Sequence, residues 1–486
     1  MKDEVGQPLG KGGQRLSGDF TRDCELLRRL LGAERCFDVI ERKVRLGKKQ
    51  SCYFYVDGFV KDGEMQRIMQ QLIGIKGDAD IREVMESLPY VEVDIASGIP
   101  RILTAVLSGQ TVILAESFGN AAILVDARTY PSRGTQEPES DRVMLGARDG
   151  FVETLIFNTA LIRRRIRDPR LTMEHMTLGG SSATDIVLCY MDGLADEKLL
   201  STLRKKLSSV VPTGVPLGYR SVAEALIGRG WLDPFPKLRL TERPDTAAAH
   251  VLEGSVILLT DTCPQAMILP TSFFDFMQQT DDFYFPPITG SYLRLVRMLI
   301  LLLSVVITPL WYLAIEQGPA LPDSLAFLYP DQPGALPIIL QLLLVELAVD
   351  GLKIASMNTP DMLSSSLSVV GALILGDYAV GVGWLCADVI LYMSFVAIAG
   401  FAQQNAELGY AFKFFRVLTL ILVYLFGFIN LGFVGLILGL CAMLTAIALN
   451  NTVIGRGKYL YPLLPFNGRA LLRLLFRMKK RDVERK

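Results

Sequence analysis

The chain has 486 residues, enough for two or three domains, and its 50 basic side chains balance its 50 acidic ones, so its global charge points to neither nucleic acid nor a membrane surface as partner. Seven cysteines form no CxxC pair and no metal-ligand spacing, and the two histidines, His175 and His250, give little basis for a His-based triad or a zinc site. No catalytic residue, metal ligand or cofactor is assigned, and the cysteines read as reduced, structural thiols of an intracellular protein.

The opening MKDEVGQPLG has no apolar signal-peptide core, so residues 1–290 are expected to stay on the cytoplasmic side. Gly10-Lys11-Gly12-Gly13 is too short for a phosphate loop, and no kinase or hydrolase signature follows. Residues 1–23 read as a polar N-terminal segment, 24–130 as a first α/β subdomain and 145–272 as a second, related to it as an internal repeat. Tyr55-Val56-Asp57-Gly58 recurs as Tyr190-Met191-Asp192-Gly193, each after a β-type run and before a helical pattern. The segment 109–116 aligns without gaps to 254–261, and the register continues through 120–124 and 265–269. The two pairs are offset by 135 and 145 residues, which one insertion reconciles. The short β-branched runs within these segments read as buried strands, paired as hairpins around Ser117–Asn120 and Thr262–Gln265.

A turn-rich linker, 130–138, separates the repeats. An amphipathic helix is expected over Gly150–Arg167, with Phe151, Leu155, Asn158, Ile162 and Ile166 at helical spacing and Asp168-Pro169 as its stop. Arg163, Arg164, Arg165 and Arg167 crowd its C-terminal end, where cations complement the helix dipole. They read either as a solvated helix end or as an interface with a neighbouring subunit or with lipid phosphates.

Six apolar stretches then occupy 298–449. Met298–Ile315 has 18 residues without a charge, close to the minimum that crosses a hydrocarbon core of about 30 Å. Leu336–Val349 contains Gln341 and Glu346 and is followed by Asp350. Ser364–Trp384 is interrupted at Gly376-Asp377, and Val389–Ala402 forms the fourth stretch. From Val417 to Leu449 there is no charge, too long a run for one span, and Asn430-Leu431-Gly432 offers the break between two. A membrane domain of four to six helical spans is expected over 291–450. Arg294, Arg297, Lys413, Arg416 and a basic tail, 451–486, mark the cytoplasmic side. The fold class is therefore an α/β duplicated cytoplasmic module followed by an α-helical multi-pass membrane domain.

Polar residues in such segments face a cavity, a neighbour or a pathway. Glu346 and Asp350 share one helix face as intramembrane acids, while Ser364 and Ser368 form a stripe running toward Asp377. Small residues on one stripe suit close helix packing. Serines combined with branched apolar residues equally suit a narrow pore with a hydrophobic gate.

The run from Gly150-Phe151-Val152-Glu153-Thr154 through Asn158-Thr159-Ala160-Leu161-Ile162-Arg163-Arg164-Arg165-Ile166 resembles the signature of the A subunits of spore germination receptors. Asn358-Thr359-Pro360, Leu363–Ser368, Leu375-Gly376-Asp377, Glu407–Ala411 and Tyr459–Asn467 resemble one sporulation branch of that family. The resemblance covers nearly the whole chain after about residue 25. It implies a multi-pass protein of the spore inner membrane with its soluble module in the spore core. It further implies a homo-oligomer, a pentamer, acting as an ion channel that releases monovalent cations and amplifies germination. A small membrane partner, germination receptor complexes and the lipid bilayer are its implied partners, with nutrient sensing left to a separate subunit.

On helical spacing, Ser364 and Ser368 are assigned the polar stripe of a pore, Val369, Val370 and Leu373 its dry constriction, and Asp377 its cation-attracting mouth. Glu346 is either a second acidic ring or a buried helix–helix contact. Two other readings stay open: a membrane-anchored scaffold that assembles germination proteins, and a nutrient sensor using the cleft between the repeats.

Overall fold

The computed structural model describes residues 14–60, 62–75, 79–90, 92–129, 143–209, 218–227, 233–316, 322–330, 332–358, 371, 378–403, 405–452, 455–456 and 459–476. The chain divides into two compact units, Met1–Arg229 with Leu238–Thr271, and Gly230–Lys237 with Ser272–Lys486.

The first unit is built twice on one plan. Its first half runs α1 (Phe20–Leu31), β1 (Val39–Leu46), β2 (Lys49–Val56), α2 (Asp62–Gly74), α3 (Ile81–Ser87), β3 (Val93–Ala96), α4 (Ile99–Leu107), β4 (Thr111–Ala115) and β5 (Ala122–Val125). Its second half runs α5 (Leu155–Arg165), β6 (Leu171–Leu178), β7 (Thr184–Met191), α6 (Glu197–Ser209), α7 (Tyr219–Leu226), β8 (Arg239–Thr241), α8 (Pro244–Leu252), β9 (Val256–Thr260) and β10 (Ala266–Leu269). The sheets have orders β1-β2-β4-β5-β3 and β6-β7-β9-β10-β8, with every pairing antiparallel. Every residue of β4 and of β9 is buried, because helices cover both faces of each central strand. In the first sheet the strand period of two divides the core. Cys52, Phe54, Val112 and Leu114 face α1 and α4, while Tyr53, Ile113 and Ile123 face Ile68, Leu72 and Val84 of α2 and α3.

Local chemistry repeats with the topology. Gly58 and Gly193 end the equivalent hairpins at φ 78° and 79°, and Gly109 and Gly254 enter the central strands at φ 100° and 96°, backbone that a side chain would strain. At the 135-residue offset, Asp23, Cys24, Leu27 and Leu31 of α1 correspond to Asn158, Thr159, Ile162 and Ile166, and all eight are buried. Asp23 accepts from the Ser17 N–H at 2.9 Å, as Asn158 accepts from the Val152 N–H at 2.8 Å. That clasp also explains why α5 begins at Leu155 and not Gly150. Asn158 donates to the Val152 carbonyl at 2.6 Å as well, and the double bond holds 150–154 in a turn outside the helix.

The second unit is helical. Short α9 (Asp281–Tyr284) precedes α10 (Pro287–Glu316), α11 (Ile338–Asn358), α12 (Ala387–Phe401), α13 (Ala406–Gly427), α14 (Gly432–Leu449) and α15 (Gly468–Leu475). Among the described residues, α10, α13 and α14 are long and apolar enough to cross a membrane, and α12 is a shorter apolar helix. Asn405 caps α13 by accepting from the Leu408 N–H at 2.8 Å, so the helix starts well before its apolar run. Asn430, at φ 56°, separates α13 from α14. The two then pack closely along Gly435 and Gly439; a Cβ at Gly435 would lie 2.5 Å from the Leu422 carbonyl oxygen. Phe235 belongs to this unit, stacked on Phe415 at 5.5 Å and edge-on to Phe412 at 6.0 Å.

Candidate functional site

The charged residues of the apolar helices converge on one place. Glu346 and Asp350 lie four apart on α11, and Lys413 and Arg416 lie three apart on α13, so each pair shares a helix face. Arg416 donates to Glu346 at 2.5 Å and to the Ser304 carbonyl of α10 at 3.1 Å. Lys413 reaches Glu346 at 2.9 Å and also pairs with Asp350. Glu346 and Arg416 are buried, where an unpaired charge would be costly. The cluster borders a cavity of about 330 Å³ lined by Ser304, Glu346, Asp350, Lys353, Lys413 and Arg416, among others. Lys353 adds a third cation there, its ammonium 4.7 Å from the Phe401 ring centre and 5.6 Å from that of Tyr410. Among the described residues three cations thus face two carboxylates, and both carboxylates are taken up by ion pairs within the chain.

Within one chain Glu346 links α11 to α13 through these pairs. Lys413 and Arg416, which read in the sequence as topological flanks, are its partners; their spacing beside that of Glu346 and Asp350 was the available signal. Arg294 and Arg297 likewise face Asp282, and Arg294 donates to the Leu474 carbonyl at 2.7 Å. Gln341 donates to the Pro333 and Leu336 carbonyls, both at 2.7 Å, and accepts from the Cys386 N–H at 2.8 Å, which ties a loop to two helices. Ser364, Ser368, Val369, Val370, Leu373 and Asp377 lie outside the described residues.

In the first unit the arginine cluster of α5 is split. Arg163, expected at a subunit or lipid surface, is wholly buried and forks onto Asp38 of the first repeat, Nε to Oδ2 at 2.8 Å and Nη2 to Oδ1 at 2.9 Å. Its third donor meets the Leu171 carbonyl at 3.2 Å. This corrects the surface reading for Arg163: the residue fastens one repeat to the other. Burial opposes its charge, and Asp38 outweighs that and holds the guanidinium above its ordinary range. Burial also raises the nearby Cys36 thiol, against the pull of Arg163. Arg165 donates from Nη2 to both carboxylate oxygens of Asp149, each at 2.6 Å, whereas Arg164 and Arg167 are exposed. All seven cysteines are free thiols, six of them buried. No group of three or more potential metal ligands occurs among the described residues.

A duplicated antiparallel α/β module followed by apolar helices with internally paired charges defines a membrane protein carrying a folded domain outside the apolar helices. The model of the Bacillus/Clostridium GerA spore germination proteins matches residues 25–486, and the chain belongs to that family. It is 35% identical over 461 residues to stage V sporulation protein AF of Bacillus subtilis (strain 168), covering 94% of this chain and 92% of that one. This is the sporulation branch that the C-terminal stretches resemble. Spore germination protein KA of the same organism is 27% identical over 455 residues, covering 91% and 81% of the two chains. The N-terminal domain of the A subunit of the Bacillus megaterium spore germinant receptor GerK3 is similar to 54% of this chain over 99% of its own length, at 23% identity and a TM-score of 0.42.

Proposed function

We propose that the chain is a subunit of an oligomeric ion channel of the spore inner membrane, acting in spore germination by releasing monovalent cations and amplifying the response. The observation that carries this reading is the ion-paired cluster of Glu346, Asp350, Lys413 and Arg416 beside a cavity, on α11 and α13 of the apolar helical region. Charges among apolar helices are costly and usually accompany a pathway. Relatives that are spore germination and sporulation proteins supply the setting. In this reading the assembly is a homo-oligomer, a pentamer, with the α/β module and the basic tail on the cytoplasmic side. A small membrane partner and germination receptor complexes act with it. Ser364 and Ser368 form the polar stripe of the pore, Val369, Val370 and Leu373 its constriction, and Asp377 its mouth.

The test is membrane potential and potassium release in vegetative cells that express the full chain, wild type against Val370→Ala, with and without the partner. Larger depolarisation with the smaller side chain is expected. A second reading, a membrane-anchored scaffold, is favoured by the pairing of both cavity carboxylates within one chain. Absence of current in every combination, with membrane insertion verified, would select the scaffold.

A further inference from the structure

The two repeats are joined by a contact that does not return on itself. Helix α5 of the second repeat lies across the hairpin end of the first. A Cβ at Gly58 would sit 2.9 Å from Ile156 and 3.1 Å from the Ala160 Cβ, Arg163 forks onto Asp38, and Phe59 and Leu107 are fully buried in the same cluster as Ala160. A pseudo-twofold arrangement would place α1 equally across the hairpin end of the second repeat. It does not. A Cβ at Gly193, the counterpart of Gly58, meets nothing within 4 Å. Leu194 and Leu252, the counterparts of Phe59 and Leu107, are 51% and 49% exposed where the originals are 0%. On α1, Glu25 is exposed where its counterpart Ala160 is 1% accessible, and Thr21 is exposed as its counterpart Ile156 partly is, at 37%.

One chain therefore carries a used plug and socket together with an exposed plug on α1 and an exposed socket over Gly193, Leu194 and Leu252, at whose edge Arg35 of the first repeat pairs with Asp192 at 3.1 Å. Contacts of this head-to-tail kind propagate into rings or filaments when supplied in trans. We propose that α1 of a second copy of this chain docks on the hairpin end of the second repeat, over Gly193, Leu194 and Leu252. The inference rests on the reading of the chain as an oligomer subunit and names the surfaces that build the oligomer. The fork itself is not repeated, since Arg28 and Arg170 stand where Arg163 and Asp38 do and are paired locally with Glu41 and Asp168; the charges around it are complementary. Arg22 and Arg29 flank Glu25 on the exposed stripe of α1, and the exposed Asp196 and Glu253 adjoin Leu194 and Leu252. The plug in trans is more polar than the one in cis, with Thr21 and Glu25 in place of Ile156 and Ala160, which suits an interface between subunits that also exist in water.

Two differently tagged full-length chains, one Glu25→Cys and the other Leu194→Cys, both in a Cys441→Ser background, would be co-expressed in membranes and oxidised. A disulfide-linked product bearing both tags is expected, along with a ladder beyond the dimer when one chain carries both cysteines. Thr21→Cys with Leu252→Cys provides a second pair should either first variant fail to accumulate. Products linking 25 to 25 or 194 to 194 alone would overturn the proposal in favour of a self-paired face. If an amine-reactive crosslinker captures oligomers while neither cysteine pair links, the surface is wrong and the oligomer reading survives. If neither chemistry captures an oligomer, both fall.

Discussion

Arg163 and Asp38 are each nearly inaccessible to solvent, so each depends on the other more than a surface pair would. Arg163→Met is expected to destabilise the α/β unit by about 3–5 kcal/mol, because it leaves a buried carboxylate without its partner. The double variant with Asp38→Leu should recover most of that loss. The urea midpoint of the purified full chain checks both; a single variant as stable as wild type would show that the fork contributes nothing. His250 offers a pH test. Burial first, and Arg239 at 3.4 Å second, push its pKa down to about 3. The unfolded chain, with an ordinary value of about 6.5, then binds more protons than the folded one below that pH. Stability present above pH 6.5 is therefore lost as the pH falls toward 3. Between pH 6.5 and 5, above most carboxylate titrations, the melting temperature of wild type should drop more than that of His250→Phe. Parallel curves would show that the imidazole is not desolvated.

Among elements, α11 and α13 depend on their charges in the same manner. Glu346→Gln leaves Arg416 with the Ser304 carbonyl as its remaining bond described above, and it should lower the temperature at which the detergent-solubilised chain aggregates. Adding Arg416→Gln should restore part of the loss; a double variant worse than either single change would argue that the two residues stabilise the helices separately. The legibility of these elements followed their chemistry. The hairpin ends at Gly58 and Gly193 were readable because a turn needing positive φ leaves a glycine behind an apolar strand, and the duplication carried that mark twice. The break at Asn430 was readable for a similar reason. Arg163 was not. A run of arginines at a helix end looks solvated, and its partner Asp38 stands where the second repeat has Arg170, so comparing the repeats could not disclose the fork. The second stripe of α5, Ile156–Ala160–Arg163, was visible in the spacing, but periodicity does not say which side of an amphipathic pattern meets a second surface. The cavity cluster was half legible, its acids recognised and its bases taken for flanks.

For the whole molecule, the division into an α/β module and an apolar helical region followed from composition, because uncharged apolar stretches begin near residue 298, while the duplication came from aligning the chain with itself. The return of residues 230–237 to the helical unit did not, since Phe235 lies in a short, proline-flanked segment that resembles an ordinary loop. One bond sets a timetable for the chain. Asp38 leaves the ribosome 125 residues ahead of the arginine that neutralises it. At synthesis rates of about 5–20 residues per second, the first repeat waits roughly 6–25 s for its last buried charge to be matched. Through that interval its hairpin end is a vacant seat on a half-made protein. A nascent neighbour's α5 carries the same residues as the chain's own, and in the finished fold the chain's own α5 fills the seat.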